Sequence, residues 1–287
     1  MLVLAKFQHA RADFGGKAPP IVASSHDRSQ IVEAARCAAY SGSMSGQTED
    51  GIGVAATRGT TDCPRCQKPL PLCVCDNITP IKSRIALLIL QHPQEQDRAL
   101  GTARLTAMHL ANAVLKIGLS WPSLSRALGR PVADPSRWAV LYLGSAKVAG
   151  LPARNEIVAI NRKGEREDSQ RAILNRIEGV VLLDGTWSQA KALWWRNPWM
   201  LKCQRVILGP HRPSRYGQLR REPRRDGLST IEAAAMLLAA LEKRPEIATT
   251  LNGCFERMLA RYREVQHAMP QLAPRPKLKR NFRRRRR

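Results

Sequence analysis

Four of the seven cysteines crowd into thirteen residues. Cys63-Pro64-Arg65-Cys66 is a CxxC, and after six residues Cys73-Val74-Cys75 is a CxC. Each close pair can grip one ion from a tight turn, and four soft thiolates complete the tetrahedron that suits Zn²⁺. No ligand position is left for water, so the zinc chemistry such a site offers is structural rather than catalytic. A CxxC with a second close CxC is explained more simply by metal than by a two-electron dithiol. The odd total and the clustering argue against a disulfide framework and for a reducing, cytoplasmic setting. Cys37, Cys203 and Cys254 have no partner at metal spacing and read as core or incidental residues.

A second set of chemically capable residues falls in four short segments. These are Gln91-His92-Pro93-Gln94-Glu95, Gly144-Ser145, Asp184-Gly185-Thr186-Trp187, and Gly209 to Tyr216. A carboxylate such as Asp184 can accept a proton or orient a base, and Gly144 can permit close approach of a ligand. Thr186, Trp187, Ser214, Arg215 and Tyr216 add hydroxyl, ring and guanidinium contacts. Each feature also has a plainer use. Asp184, Thr186 or Ser188 can cap the helix WSQAKALWW. Trp187, Trp194, Trp195 and Trp199 are spaced so that several share one helical face, which suits core packing. His92 alone is more often structural than a base. Ser229-Thr230-Ile231-Glu232 reads as a capping box.

The elements that position these segments can be read from periodicity. Ile85–Leu90, Trp138–Leu143, Val180–Leu183 and Arg205–Leu208 are short apolar runs bounded by Gly, Pro or charge, as buried strands are. Between the first two, Leu105, Met108, Ala111 or Asn112, and Leu115 recur at three and four residue steps, which predicts a helix from Glu95 to about Leu119. Helices are also expected over Ser229–Lys243 and from about Ile247 to Gln266, with Pro270, Pro274 and Pro276 ending regular structure. This alternation indicates an α/β domain with a mostly parallel sheet and flanking helices. In such sheets ligands bind outside the carboxyl ends of the strands, which is where all four polar segments fall.

Composition narrows the partner. The 287 residues carry 47 Lys+Arg against 23 Asp+Glu, a net charge of +24, which points to a polyanion such as nucleic acid. Arg275–Arg287 holds nine of those cations and no acid, so the remainder stays at +15 without it. No stretch approaches the ~18 consecutive apolar residues of a membrane span. The start, MLVLAKFQHARADFGG, lacks the order of a secretory signal. Gly51-Ile52-Gly53-Val54-Ala55-Ala56 fits a dinucleotide fingerprint as a string, but only a Gly/Ser-rich linker precedes it, where the fingerprint needs a strand.

Taken together, the four cysteines, His92-Pro93-x-Glu95, Gly101-Thr102, Asp184-Gly185-Thr186-Trp187, and Ser214-Arg215-Tyr216 through Leu228-Ser229-Thr230-Ile231-Glu232-Ala233 resemble the DTW-domain family. Its bacterial members are tRNA-uridine aminocarboxypropyltransferases. The resemblance implies transfer of the 3-amino-3-carboxypropyl group from S-adenosylmethionine to N3 of a tRNA uridine, on a SPOUT-like knotted fold. It implies Asp184 as the catalytic carboxylate, and Gly144, Thr186, Trp187, Ser214, Arg215 and Tyr216 as substrate- or cofactor-binding residues. Cys63, Cys66, Cys73 and Cys75 then ligate structural Zn²⁺, tRNA is the partner, and neither a membrane nor an obligate protein partner is expected. Members of the family often carry Asn-Thr where this chain has Gly101-Thr102, so any side-chain role of that Asn is absent. The expected organisation is a disordered extension over 1–58, a zinc module over 59–80, the catalytic domain over 81–268 and a basic disordered tail over 269–287. Two other functions fit the same residues: a methyltransferase using the same donor, and a zinc-stabilised RNA-binding module without catalysis.

Overall fold

The computed structural model describes residues 2–3, 62–76, 78–96, 98–142, 156–209, 212–217, 219 and 227–268. Their centre is a six-stranded sheet. Its strands are β2 (Ala86–Gln91), β3 (Ala113–Ile117), β4 (Trp138–Leu141), β5 (Ile157–Ile160), β6 (Gly179–Asp184) and β7 (Gln204–Leu208), in the order β3-β2-β6-β4-β7-β5. Every neighbouring pair is parallel except β5 with β7. Strands β2, β6 and β4 have helices over both faces, which is why their apolar runs are continuous rather than alternating. Leu87, Ile89, Val180, Leu182, Ala139 and Leu141 belong to one core, shared with α1 (Ala103–Met108), α5 (Thr230–Glu242) and α6 (Pro245–Ala268). Leu88, Leu90, Val181, Leu183, Trp138 and Val140 belong to the other, with α2 (Leu124–Leu128) and α4 (Trp187–Arg196). Trp138 lies opposite Gly179 in the β4–β6 register, and a Cβ at Gly179 would stand 2.5 Å from its ring. Only glycine fits beneath that indole.

One expectation is corrected. The helix expected from Glu95 to about Leu119 is three elements: a 3-10 turn over Pro93–Glu95, α1, and then strand β3. Helix α1 ends at His109, and the chain then runs along the free edge of β2, pairing Leu87 with Ala113 through Gln91 with Ile117. The backbone hydrogen bonds of a sheet edge outweigh a helical periodicity that rested on few side chains. The short strand β5 was not anticipated, nor was its antiparallel sense. A further helix, α3 (Gln170–Asn175), leads into β6.

Within the stretch expected as an extension, β1 (Leu2–Val3) pairs antiparallel with β8 (Gly227–Leu228), immediately before α5. The rest of 1–58, the tail over 269–287, and Gly144 lie outside the described residues. Among the described residues no helix is long and apolar enough to cross a membrane.

Candidate functional site

Strands β2 and β6 end side by side, with Gln91 in register with Asp184. Asp184 is buried, at 3% exposure. One carboxylate oxygen accepts a hydrogen bond from Gln91 Nε2 at 2.8 Å, and the other accepts from the hydroxyl of Thr230, the first residue of α5. The peptide oxygen of Asp184 accepts from the His92 N–H at 2.9 Å. Burial by itself raises the Asp184 pKa. Nearby positive charge, with the hydrogen bonds from Thr230 and Gln91, prevails, and the carboxyl lies below its ordinary value. It is therefore an ionised tie between two strand ends and the start of a helix.

Asp184 does not cap α4. Thr186 does: its hydroxyl accepts from the Gln189 N–H, and Gln189 Oε1 accepts from the Thr186 N–H at 2.6 Å, a complete capping box. Gln189 Nε2 then donates to Gln94 Oε1 at 3.0 Å, joining the α4 start to the turn after β2. Gly185 sits so close under Gln189 that a Cβ would meet it at 2.8 Å. Of the four tryptophans spaced so that several suit core packing, Trp199 is buried, Trp187 and Trp194 are half-buried against the core and Trp195 is exposed.

The α5 start organises the remaining predicted residues. Ser229 caps it, and Glu232 returns to the Ser229 N–H at 3.0 Å, as the capping box requires. Glu232 also accepts from Ser214 Oγ at 2.6 Å and from the Arg215 N–H at 2.8 Å. The Arg215 guanidinium reaches Glu256 at 3.0 Å and Asn252 at 3.2 Å on α6. Tyr216 points into the core, where it packs edge-on against Phe255 and its hydroxyl donates to Leu100 O at 2.6 Å. The ring is 2% exposed, so in this structure it packs the loop against α6. Beside this segment opens a cavity of about 760 Å³, lined by Arg212, Arg215, Glu232, Met236 and Asn252 among others.

The four predicted metal ligands converge. Their Sγ atoms all lie within 4.8 Å of one another and all four residues are buried. The closer separations are 3.3 Å for Cys73–Cys75, 3.5 Å for Cys63–Cys75 and 3.7 Å for Cys66–Cys73. A tetrahedron with Zn–S bonds of 2.3 Å has edges of roughly 3.8 Å, so the donor set fits a zinc ion with little adjustment. The first turn is closed by the Gln67 N–H to Cys63 O at 2.7 Å, with Gln67 in the left-handed region at φ 54°. Backbone donation from Cys66 lowers Cys63 to about 6, whereas burial pushes Cys66 up to about 11.

Sequence reasoning missed Lys68. Buried beside the cysteines, its ammonium donates to Ala99 O at 2.6 Å and Gly101 O at 2.8 Å. It clamps to the cysteine module the same loop that Tyr216 holds from the other side. Thr102 closes that loop by accepting from the Ile231 N–H at 3.3 Å. Gln91 and Thr230 stood in the strand-end and capping-box segments, but their bonds to Asp184 were not foreseen. A polar residue closing an apolar strand marked Gln91, and the capping box marked Thr230; nothing local marks Lys68.

Residues 60–263 match the DTW domain. Over 206 residues the chain is 30% identical to a Drosophila melanogaster protein named tRNA-uridine aminocarboxypropyltransferase 2, covering 70% of this chain and 74% of that protein. Proteins of the same name from Mus musculus and Macaca fascicularis are 29% identical over 208 residues and 30% identical over 197. Those alignments cover 70% and 66% of this chain but 63% and 59% of the relatives, so the chain spans less than two thirds of either mammalian protein. No solved structure matches the chain.

Proposed function

This chain belongs to the DTW-domain family, and from that premise we propose that it transfers the 3-amino-3-carboxypropyl group of S-adenosylmethionine to N3 of a uridine in tRNA. The observation that carries the reading is the family match across 60–263, which takes in the strand ends, the α5 start and the cysteine module together. Relatives at about 30% identity bearing that activity in their names support it, as does the net charge of +24.

S-adenosylmethionine supplies a carbon activated by its sulfonium, and methylthioadenosine departs neutral, so no acid is needed to expel it. Only the nucleophile needs help, since uridine N3 carries a proton. A carboxylate held below its ordinary pKa is a poor final acceptor of that proton, because an effective general base lies near the working pH. Asp184 therefore serves by orientation: buried beneath the strand ends, it fixes their frame through its ties to Gln91 and Thr230, and the N3 proton passes to solvent water as N3 attacks. Thr186 and Trp187 stand at the same edge as candidate contacts; Gly144, outside the described residues, stays a candidate from the sequence alone. The cavity of about 760 Å³ beside Ser214–Tyr216 has the size of a ligand such as the donor, and Arg212 and Arg215, the latter also paired with Glu256, line it. Cys63, Cys66, Cys73 and Cys75 would hold a structural zinc.

The parallel order β3-β2-β6-β4-β7-β5, with the candidate site at one end, is compatible with a SPOUT-like fold, and we extend the proposal to its knot. The cytoplasmic setting belongs to the same proposal, supported by tRNA as substrate and by a reduced cysteine cluster. Nucleoside mass spectrometry of bulk tRNA, with and without the protein and donor, tests the activity. Appearance of aminocarboxypropyluridine with release of methylthioadenosine is expected. Release of S-adenosylhomocysteine instead would identify a methyltransferase, and unchanged tRNA would leave a binding module.

A further inference from the structure

Helix α4 buries Ala190 and Leu193 and turns another face outward. On that face Trp187, Lys191 and Trp195 follow at four-residue steps, with Lys191 Nζ 6.0 Å from the centre of the Trp187 ring. Trp195 is 74% exposed, more than any other large hydrophobic residue described. Its neighbour Trp194 meets Tyr142 edge-on at 5.5 Å, and the Arg205 guanidinium lies 5.4 Å from the Trp194 ring and 5.2 Å from the Tyr142 ring. Indole left in water is costly, and no packing within the described residues accounts for Trp195. The surrounding sequence is also one-signed. From Gly185 to Arg221 there is no Asp or Glu, against eight Lys or Arg.

We propose that this outer face of α4 is the surface on which unpaired tRNA bases beside the target uridine stack. The inference rests on tRNA being the substrate, as argued above. Unstacked RNA bases are bound on aromatic rings and guanidinium planes, with Lys and Arg taking the adjoining phosphates. An exposed indole flanked by Lys191 and Arg196, with a guanidinium held between two rings, supplies that combination. The position fits as well. Helix α4 starts three residues after Asp184, and Trp195 lies about 12 Å further along its axis than Trp187 at 1.5 Å per residue. Nucleotides flanking a uridine at the strand ends fall within that reach. A second copy of this chain is disfavoured as the occupant, because like charges would face each other in an acid-free region.

The test uses the full-length protein, unmodified tRNA and binding measured across a salt series. Trp195→Ala is expected to weaken tRNA binding roughly tenfold with the salt slope unchanged, since stacking releases no counterions. Trp195→Phe should retain most of the affinity. Lys191→Ala should instead lower the slope by about one. The Trp195→Ala loss should appear in KM for tRNA more than in kcat, with thermal melts and donor affinity as at wild type. Wild-type tRNA affinity in Trp195→Ala would overturn the proposal, as would a change from dimer to monomer in that variant without a change in tRNA affinity. Failure of the wild-type protein to modify tRNA while still binding it would sink the transferase reading and leave the stacking surface to be judged on affinity alone.

Discussion

At the scale of the residue, Asp184 carries the sharpest expectation. Asparagine keeps its shape but presents an amide N–H₂ to one of two groups that now donate, Gln91 Nε2 and the Thr230 hydroxyl. Losing a buried hydrogen bond to a charged group costs about 1.5–3 kcal/mol. Asp184→Asn should therefore lower the melting temperature, and turnover should fall by roughly 10²-fold if the carboxylate also fixes the frame that positions uridine, the scale on which lost positioning acts. Single-turnover transfer and melts on the same sample separate the two effects. A variant that melts lower yet turns over normally would leave Asp184 as a strand-to-helix tie. Cys63→Ser or Cys73→Ser should act in the opposite proportion, reducing solubility or melting temperature more than turnover per folded molecule. Metal analysis of fresh, reduced wild-type protein is expected to find about one zinc per chain, and its absence would remove the metal assignment.

At the scale of the element, α5 is held at both ends by carboxylates on other segments' donors. Glu242, its last residue, accepts from Ser83 Oγ and from the Ile85 N–H at 3.0 Å, and so fastens the helix to the entry of β2. Burial raises its pKa, but these bonds, the Arg84 amide and Arg244 prevail and hold it below 4.5. A carboxylate with a depressed folded pKa stabilises the fold above its ordinary value, and that stability is lost as pH falls through the folded value. Glu242→Gln should consequently melt lower than wild type near pH 7, with the gap closing below about pH 4.5; a gap independent of pH would contradict the charged role. The middle strands of the sheet were legible because burial on both faces leaves unbroken apolar runs. Strand β3 was not, since Ala113–Ile117 is only half-buried and continues a helical spacing, and β5 is a four-residue run with no alternation to mark it. The site divides the same way. Strand ends and the Ser229–Glu232 box can be read locally, whereas Gln91 meets Asp184 across 93 residues and Lys68 meets Gly101 across 33. Such contacts depend on tertiary proximity, which no local pattern encodes.

At the scale of the whole molecule, charge is distributed between a basic body and a more basic end. Removing Arg275–Arg287 takes away nine cations and leaves +15, so the body alone retains the means to attract a polyanion. The two parts should make different contributions. The α4 surface joins rings to a few cations and can discriminate unpaired bases, whereas an acid-free run of Lys and Arg contacts phosphates without regard to sequence. Each phosphate neutralised releases condensed counterions, so the tail should steepen the fall of affinity with salt. Deletion of Arg275–Arg287 is thus expected to weaken tRNA binding most at low salt and to flatten the slope of log affinity against log salt. Donor affinity should stay unchanged, because Arg212, Arg215 and the cavity beside them are untouched. The preference for unmodified tRNA over an unrelated RNA of equal length should persist or sharpen, since only the sequence-independent contribution is removed. Titration of both RNAs across a salt series, with and without those thirteen residues, measures all three quantities. An unchanged slope would show that the tail makes no phosphate contacts, and loss of the preference would mean that it takes part in selecting the substrate.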